Sequence, residues 1–233
     1  MALFYIPDIT KTWELPEEEA AHCLRVLRLG VGDNLEATDG KGNFYKAVIS
    51  SVSDKHCYIE AIEIIPTPKS WQGYLHLAIA PTKNIDRIEW FIEKAVEIGI
   101  DEVTFLNCRF SERKMVKTER IERIVISAMK QSLKPYKTII NEMTDFNKFI
   151  VKNADGERFI AHCYEEEKQQ LKNILKAGSK ATIMIGPEGD FSPEEVECAK
   201  KAGYTAVSLG NSRLRTETAG LVACHTFNII NEI

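Results

Sequence analysis

From residue 74 onward the sequence alternates between short apolar segments and amphipathic ones, and this alternation constrains the fold more than any other feature. The apolar segments YLHLAIAP (74–81) and KATIMIGP (180–187) are typical of buried strands. The clearest amphipathic segment, IDRIEWFIEKAVEIG (85–99), repeats apolar residues at helical spacing and ends at a glycine. Strands that alternate with helices through short connections predict an α/β fold with a mostly parallel sheet.

The remaining elements follow from the same patterns. They predict strands at 102–107, 138–143, 158–163 and 205–210, and helices at 117–133, 145–153, 169–178, 192–203 and 216–233. Residues 1–65 are mostly β: a helix at 15–29 precedes strands at 33–40, 43–52 and 56–65. Several short strands in so few residues predict a small barrel, and the segment 65–73, which is rich in proline and glycine, predicts a linker.

Composition excludes several classes of protein. The chain is 44% hydrophobic and 27% charged, as is usual for a folded domain, and no apolar run reaches the roughly 20 residues of a membrane helix. The first residues lack the pattern of a signal peptide. The six cysteines are scattered without a C-x-x-C pair, so we expect no zinc or other metal site, no disulfide framework and a cytoplasmic location. The net charge of -4 still permits a local basic patch.

The loop GPEGDFS (186–192) follows one predicted strand. Its glycines let the backbone approach a ligand closely, and Ser192, Pro193 and Glu195 predict a capped helix start. A helix N-terminus favours anions, but the loop matches neither the dinucleotide fingerprint nor a P-loop. Its carboxylates would repel a polyphosphate, which favours a neutral or cationic ligand. A tight strand-to-helix turn without a ligand remains the alternative.

A second polar loop, LGNSRLRTETAG (209–220), follows the next predicted strand. Thr216 is predicted to cap the last helix, which would place Glu217 in its first turn. Loops at the carboxyl ends of parallel strands meet in one crevice, so the two loops would face each other if their strands are neighbours. In the simplest alternative, Arg215 only pairs with a nearby carboxylate.

These two segments, IGPEGDFSPEE and LGNSRLRTETA, resemble the closing motifs of the RsmE-type 16S rRNA uridine-N3 methyltransferases of the SPOUT class. The resemblance extends over most of the chain. It includes HCLRVLRLGVGDNLEATDGKGNFYKAVI (22–49), TKNIDRIEWFIEKAVEIGI (82–100), SERKMVK (111–117) and SAMKQSLKPY (127–136). The sequence departs from the family's pattern at Asp190, where a glycine is usual, and at Ser212, where an arginine is usual and Arg213 follows instead.

The resemblance implies a PUA-like β-barrel RNA-binding domain over residues 1–70 and a SPOUT methyltransferase domain, with a trefoil knot, over residues 71–233. It also implies a homodimer that binds S-adenosylmethionine in the knot loops. The implied reaction is methylation of N3 of a uridine, uridine 1498 in the usual numbering, in 16S rRNA or the assembled 30S subunit. Neither DNA nor a membrane is implied as a partner.

The resemblance and the residue chemistry together assign roles. Arg215 is predicted to supply positive charge near the developing anion. Glu217 would either hold Arg215 or act as the base, and we favour holding because an ion-paired carboxylate is a poor base. The predicted cofactor-binding residues are Ile185, Gly186, Pro187, Gly189, Leu209, Gly210, Arg213, Leu214 and Thr218. His162, after another strand, is a weaker candidate for lining the pocket.

Local charge points to the RNA-binding residues. Residues 109–137 contain nine lysines and arginines against three glutamates, a pattern expected to make salt-sensitive phosphate contacts. The predicted RNA-binding residues are Arg25, Arg28, Arg109, Arg113, Lys114, Lys117 and Lys134. The last helix is apolar on more than one face, which a dimer interface or burial within the subunit would explain.

Overall fold

The structure is a computed structural model that describes residues 2–152 and 155–232. The chain divides into two compact units, one formed by residues 1–69 with 126–137 and the other by residues 70–125 with 138–233. Among the described residues, no helix has the length and apolarity required to span a bilayer.

The first unit is built on a four-stranded sheet. Its strands are β1 (Leu3–Tyr5), β2 (Asn34–Thr38), β3 (Asn43–Ser53) and β4 (His56–Pro66), hydrogen-bonded in that order. The β1–β2 pair is parallel and the other two pairs are antiparallel. Helices α1 (Ile9–Thr12) and α2 (Glu17–Ala21) precede β2, and a π-helical turn (His22–Val26) continues α2. The three strands predicted in this region are confirmed, and the predicted helix is shorter and partly π-helical.

The far edge of this sheet is also paired. Leu15 N donates to Cys57 O over 2.9 Å, and Ile59 N donates to Trp13 O over 2.8 Å, so residues 13–15 lie along β4. The fully buried side chains of the unit, which include Phe4 and Leu35, pack inside the sheet. The sheet therefore curls around one apolar core.

Residues 126–137 belong to the first unit although they lie far along the chain. Gly42 N donates to Pro135 O, and Lys137 N donates to Gly40 O, both over 2.9 Å. Lys130 Nζ and Glu19 Oε1 form an ion pair of 2.6 Å. The first unit is therefore discontinuous in sequence.

The second unit is built on a seven-stranded parallel sheet, which confirms the predicted α/β fold. Its strands are β5 (Tyr74–Ile79), β6 (Glu102–Asn107), β7 (Ile139–Asp145), β8 (Glu157–Ala161), β9 (Gln169–Gln170), β10 (Lys180–Ile185) and β11 (Thr205–Ser208). The order across the sheet is β7-β6-β5-β10-β8-β11-β9, and every pair is parallel. Strand β10 thus lies between two strands that precede it in sequence.

Helices cover both faces of this sheet. They are α3 (Ile85–Ile98), α4 (Thr118–Gln131), α5 (Phe146–Ile150), α6 (Leu171–Ile174), α7 (Pro193–Lys201) and α8 (Thr216–Asn231). Helix α8 packs against α3 and contacts β5 and β10 on one face. Buried side chains of α5 and α7 pack on the other face, against alternate residues such as Ala78 and Met184. Successive residues of a strand point to opposite faces of the sheet, so the strands contribute side chains to an apolar layer on each face.

Several helices end earlier in the structure than the sequence predicted. The segment predicted as a helix at 169–178 is strand β9 followed by a single turn, α6, because Leu175 already has extended backbone angles. The last helix ends at Asn231, and residue 233 lies outside the described residues. The predicted helix at 145–153 is α5, and residue 153 is likewise outside them.

Candidate functional site

A cavity of about 620 Å³ opens at the carboxyl ends of β8, β10 and β11. The loops that follow these three strands form its walls, and Arg87 of α3 completes the lining. Strands β10 and β11 are not neighbours, because β8 lies between them. The two loops singled out in the sequence nevertheless meet around one cavity, together with the loop after β8.

Most of the residues predicted to bind a cofactor line this cavity. They are Ile185, Gly186, Pro187, Leu209, Gly210, Arg213 and Leu214. Arg215 also lines the cavity, whereas Gly189, Glu217 and Thr218 are not part of its surface.

Two glycines shape the walls. At Gly186 a Cβ atom would lie 3.0 Å from Phe191 N, so the turn after β10 has no room for a side chain. Gly210 has φ +138°, a backbone angle that residues with a side chain rarely adopt. Both loops therefore present backbone groups at the cavity, as the sequence predicted.

Carboxylates of the loop after β10 and of the first turn of α7 accept hydrogen bonds from backbone amides of other loops. Glu188 Oε1 accepts from Lys83 N over 2.8 Å, and Asp190 Oδ2 accepts from Cys163 N over 2.7 Å. Glu195 Oε1 accepts from Arg109 N over 2.8 Å. The acidic residues that argue against a phosphate ligand thus tie this loop to the loops after β5, β8 and β6.

The two helix starts at the site differ from each other. At α7 the predicted capping box is confirmed: Ser192 Oγ accepts from Glu195 N, and the Glu195 carboxylate accepts from Ser192 N. At α8 the predicted cap is wrong, because Arg215 occupies the capping position and makes no side-chain cap. Thr216 is the first helical residue, and its Oγ1 donates to Gly186 O over 3.0 Å. Its hydroxyl therefore joins the two loops.

Glu217 pairs with a residue that the sequence did not single out. Its side chain is 9% exposed, and Oε1 lies 3.6 Å from Arg87 Nη1. Oε2 is buried and has no hydrogen-bond partner among the described residues. Arg215, the partner expected for Glu217, is exposed and makes no side-chain hydrogen bond or ion pair within residues 2–152 and 155–232. The guanidinium of Arg215 is therefore available at the cavity wall.

Comparison with known proteins gives the family. Residues 69–228 match the RNA methyltransferase domain model, and residues 15–62 match the RNA methyltransferase PUA domain model. Ribosomal RNA small subunit methyltransferase E of Mesomycoplasma hyopneumoniae is 31% identical over 186 residues, 78% of this chain and 79% of that protein. The chain belongs to this family.

Two solved structures of similar proteins agree with this assignment. A probable rRNA-methyltransferase from Porphyromonas gingivalis is 46% identical and superposes with a TM-score of 0.93, covering 99% of this chain and 98% of that one. The Neisseria gonorrhoeae ribosomal RNA small subunit methyltransferase E, bound to S-adenosyl methionine, is 26% identical with a TM-score of 0.87. That comparison covers 98% of this chain and 97% of the other.

In this member of the methyltransferase E family, the loop after β8 is held by an internal network. His162 lines the cavity, but its ring is buried, and Nε2 lies 3.0 Å from Glu166 Oε1. Lys168 Nζ donates to the carbonyls of His162 and Tyr164. Burial lowers the pKa of His162, and the nearby Lys168 ammonium lowers it further. The His162 ring therefore helps to hold the conformation of the loop after β8.

The predicted RNA-binding residues lie in both units of this family member. Arg25, Arg28 and Lys134 belong to the first unit, and Arg109, Arg113, Lys114 and Lys117 belong to the second. Arg109 pairs with Glu194 over 3.0 Å, and Arg113 donates to the carbonyls of Thr82 and Lys83. Lys117 is exposed. Arg113 thus stabilises the loop after β5, a role that its position in the sequence did not indicate.

Arg87, Cys163 and Lys168 also line the cavity, and the sequence patterns did not identify them as site residues. Cys163 and Lys168 lie after a strand that carries no glycine-rich loop, and Arg87 lies within an ordinary amphipathic helix. The only feature that could have indicated these three residues is their place in the topology, because each of them follows the carboxyl end of a parallel strand.

Proposed function

We propose that this protein transfers the methyl group of S-adenosylmethionine to N3 of a uridine in small-subunit ribosomal RNA, uridine 1498 in the usual numbering. The observation that carries the proposal is the exposed guanidinium of Arg215, which has no ion-pair partner among the described residues, on the wall of a cavity formed by backbone-rich loops. Membership of the methyltransferase E family supports the reaction class and the rRNA substrate. A cytoplasmic location follows from such a substrate.

The residues present suit this cofactor. S-Adenosylmethionine carries a sulfonium and no phosphate, so the acidic loop after β10 is compatible with it. Apolar and backbone groups around Leu209, Gly210 and Ile185 would hold the adenosine, as in other largely apolar ligand sites. The relative from Neisseria gonorrhoeae, bound to this cofactor, supports the assignment. When bound, the cofactor supplies an electrophilic methyl group.

The chain's own residues would then prepare the acceptor. The N3 proton of uridine is weakly acidic, and its transfer to solvent water would leave negative charge on the ring. Arg215 would stabilise that charge and orient the base. Arg87 adds a further guanidinium to the cavity, which Arg213 also lines, and Glu217 pairs with Arg87 from the buried side. This arrangement replaces the expected Glu217–Arg215 pair and leaves Arg215 free for the substrate.

The RNA would reach the cavity across the loop 109–117. This segment, RFSERKMVK, carries four basic residues and one glutamate. Phe110 is 44% exposed and packs against Gly189, beside the cavity wall. Basic side chains around an exposed aromatic ring are suited to a single-stranded nucleic acid.

Neutralising this loop is expected to weaken RNA binding in a salt-dependent manner. The double substitution Lys114→Gln and Lys117→Gln should reduce the slope of log affinity against log salt by about 2, roughly 1 for each lysine that no longer neutralises a phosphate. The measurement is a salt titration of binding to an undermethylated small-subunit rRNA fragment. Lys176→Gln is the matched control, because Lys176 is exposed and precedes β10, at the opposite end of the strand. An unchanged slope in the double variant would remove this loop from the RNA surface.

A homodimer and the SPOUT knot are part of the same proposal. Helix α8 carries Ile229, which is 62% exposed, and α3, which packs against it, carries Trp90, which is 45% exposed. A second copy of the chain would cover these exposed apolar side chains. The insertion of β10 between β5 and β8, and of β11 between β8 and β9, supports an unusual chain path near the C-terminus. Sedimentation that gives only monomer would contradict the dimer.

The proposed function is tested in two steps. Calorimetry should detect S-adenosylmethionine binding to the purified protein. Incubation with tritiated cofactor should then label undermethylated 30S subunits or 16S rRNA. Because a methyl group on N3 blocks base pairing, a reverse-transcription stop would identify the modified base. Cofactor binding without transfer to any small-subunit substrate would contradict the proposal.

A further inference from the structure

Asp190 has an uncommon backbone conformation in the loop between β10 and α7. Its φ is +67°, in the left-handed region that disfavours residues with a side chain. Glycine would adopt this conformation with less strain. A strained residue at a functional site indicates that its side chain contributes something that glycine cannot.

Within the described part of the chain, the side chain of Asp190 makes two hydrogen bonds, both to backbone amides. Oδ2 accepts from Cys163 N over 2.7 Å, and Oδ1 accepts from Phe191 N over 2.8 Å. The first bond crosses between loops, and the second fixes the carboxylate within its own loop. Hydrogen bonds from amides to an ionised carboxylate are short and strong. Asp190 therefore fastens the loop after β8 to the loop after β10.

Residues of these two loops line the same cavity. Cys163 and Asp190 both line the cavity, together with His162 and Lys168 of the first loop. Tyr164 Oη donates to Phe191 O over 2.7 Å, which is a second link between the same loops. The link from Asp190 is the one closer to the cavity surface, because Tyr164 and Phe191 are not among the lining residues.

We propose that Asp190 is a positioning residue that holds the loop 162–168 against the loop 186–192 and thereby sets the affinity of the cavity for S-adenosylmethionine. A wall that is ordered before the ligand arrives reduces the entropy lost on binding. The ligand identity rests on the proposed function, whereas the link between the loops does not. Asp190 acts through the backbone of Cys163 and touches no reacting atom.

The test compares Asp190→Gly with Asp190→Asn. Glycine accepts the positive φ but removes both bonds, so backbone strain does not confound the result. Asparagine has one acceptor oxygen and can keep only one of the two bonds. Glu194→Gln is the control for loss of a carboxylate, since Glu194 lies at the start of α7, 70% exposed, and does not line the cavity.

Two measurements decide the outcome. Hydrogen exchange of peptides covering residues 160–166, in the protein without ligand, should show the Cys163 amide exchanging at least about tenfold faster in Asp190→Gly. Calorimetry should show the Kd for S-adenosylmethionine rising about tenfold in Asp190→Gly and less in Asp190→Asn, as expected for loss of a charge-assisted bond. The KM for the cofactor should rise together with the Kd, while kcat should stay within about twofold of the wild-type value.

Wild-type exchange and wild-type Kd in Asp190→Gly would overturn the inference. Faster exchange with an unchanged Kd would also overturn it, because the link would then be structural only. A wild-type protein that fails to bind S-adenosylmethionine would instead refute the proposed function, while the exchange measurement would still decide whether Asp190 joins the two loops.

Discussion

Replacing Arg215 with alanine is expected to lower kcat for methyl transfer by about 10²–10³-fold, the usual cost of losing one preorganised charge at a reacting anion. The side chain lines the cavity and has no protein partner among the described residues, so its removal breaks no ion pair that supports the fold. Cofactor affinity and melting temperature should therefore stay close to those of the wild type. Single-turnover labelling of 30S subunits measures the effect, and calorimetry checks the affinity.

The matched variants separate charge from structure. Arg215→Lys keeps the charge without the planar donor geometry and should recover part of the rate. Arg87→Ala removes the cavity-lining guanidinium that is paired with Glu217. Wild-type turnover in Arg215→Ala would exclude this residue from the mechanism. A comparable loss in Arg87→Ala alone would transfer the proposed role to Arg87.

Replacing Gly220 with valine is expected to destabilise the second unit by about 2 kcal/mol, a typical cost of overpacking a buried position. A Cβ atom at Gly220 would lie 2.8 Å from Phe91 Cε2 and 3.0 Å from Ile79 Cδ1. Both neighbours are fully buried, so neither can move without disturbing the layer between α8 and the sheet. The better helix propensity of valine offsets only a fraction of this cost.

Thermal unfolding measures this prediction, with an expected fall in melting temperature of about 4–8 °C. Gly30→Val is the control, because no atom of the described residues lies within 4 Å of a Cβ atom built there, and its effect should stay within about 0.5 kcal/mol. Gly220 lies one helical turn after Thr216, so the valine variant should also lose cofactor affinity. An unchanged melting temperature would mean that α8 can move away from β5 at little cost.

The sequence predicted the fold well where local patterns decide the structure. The apolar segment at 180–187 became the buried strand β10, and the amphipathic segment at 85–99 became α3. The capping box at Ser192 was predictable because both partners lie within one helical turn. The order of the strands was not predictable, since the place of β10 between β5 and β8 depends on contacts between residues that are distant in sequence.

The site was predictable in part, for the same reason. Glycine-rich loops identified two of its three walls, whereas the wall after β8 carries no such pattern. Thr216 was assigned to a helix cap, the usual role of a threonine at that point, but its hydroxyl bonds Gly186. The ion pair between Arg87 and Glu217 joins two helices that are distant in sequence, so no local spacing of residues predicts it. Contacts between side chains and residues that are distant in sequence therefore cannot be predicted from local sequence patterns.

The links from Glu188, Asp190 and Glu195 to three neighbouring loops limit how this cavity could be redesigned. To accept a phosphorylated cofactor, a designer would exchange these carboxylates for neutral or basic residues. Each exchange would leave the backbone amide of Lys83, Cys163 or Arg109 without its acceptor. The same negative charges that repel phosphate hold the walls in place, so ligand preference and loop structure cannot be altered separately here.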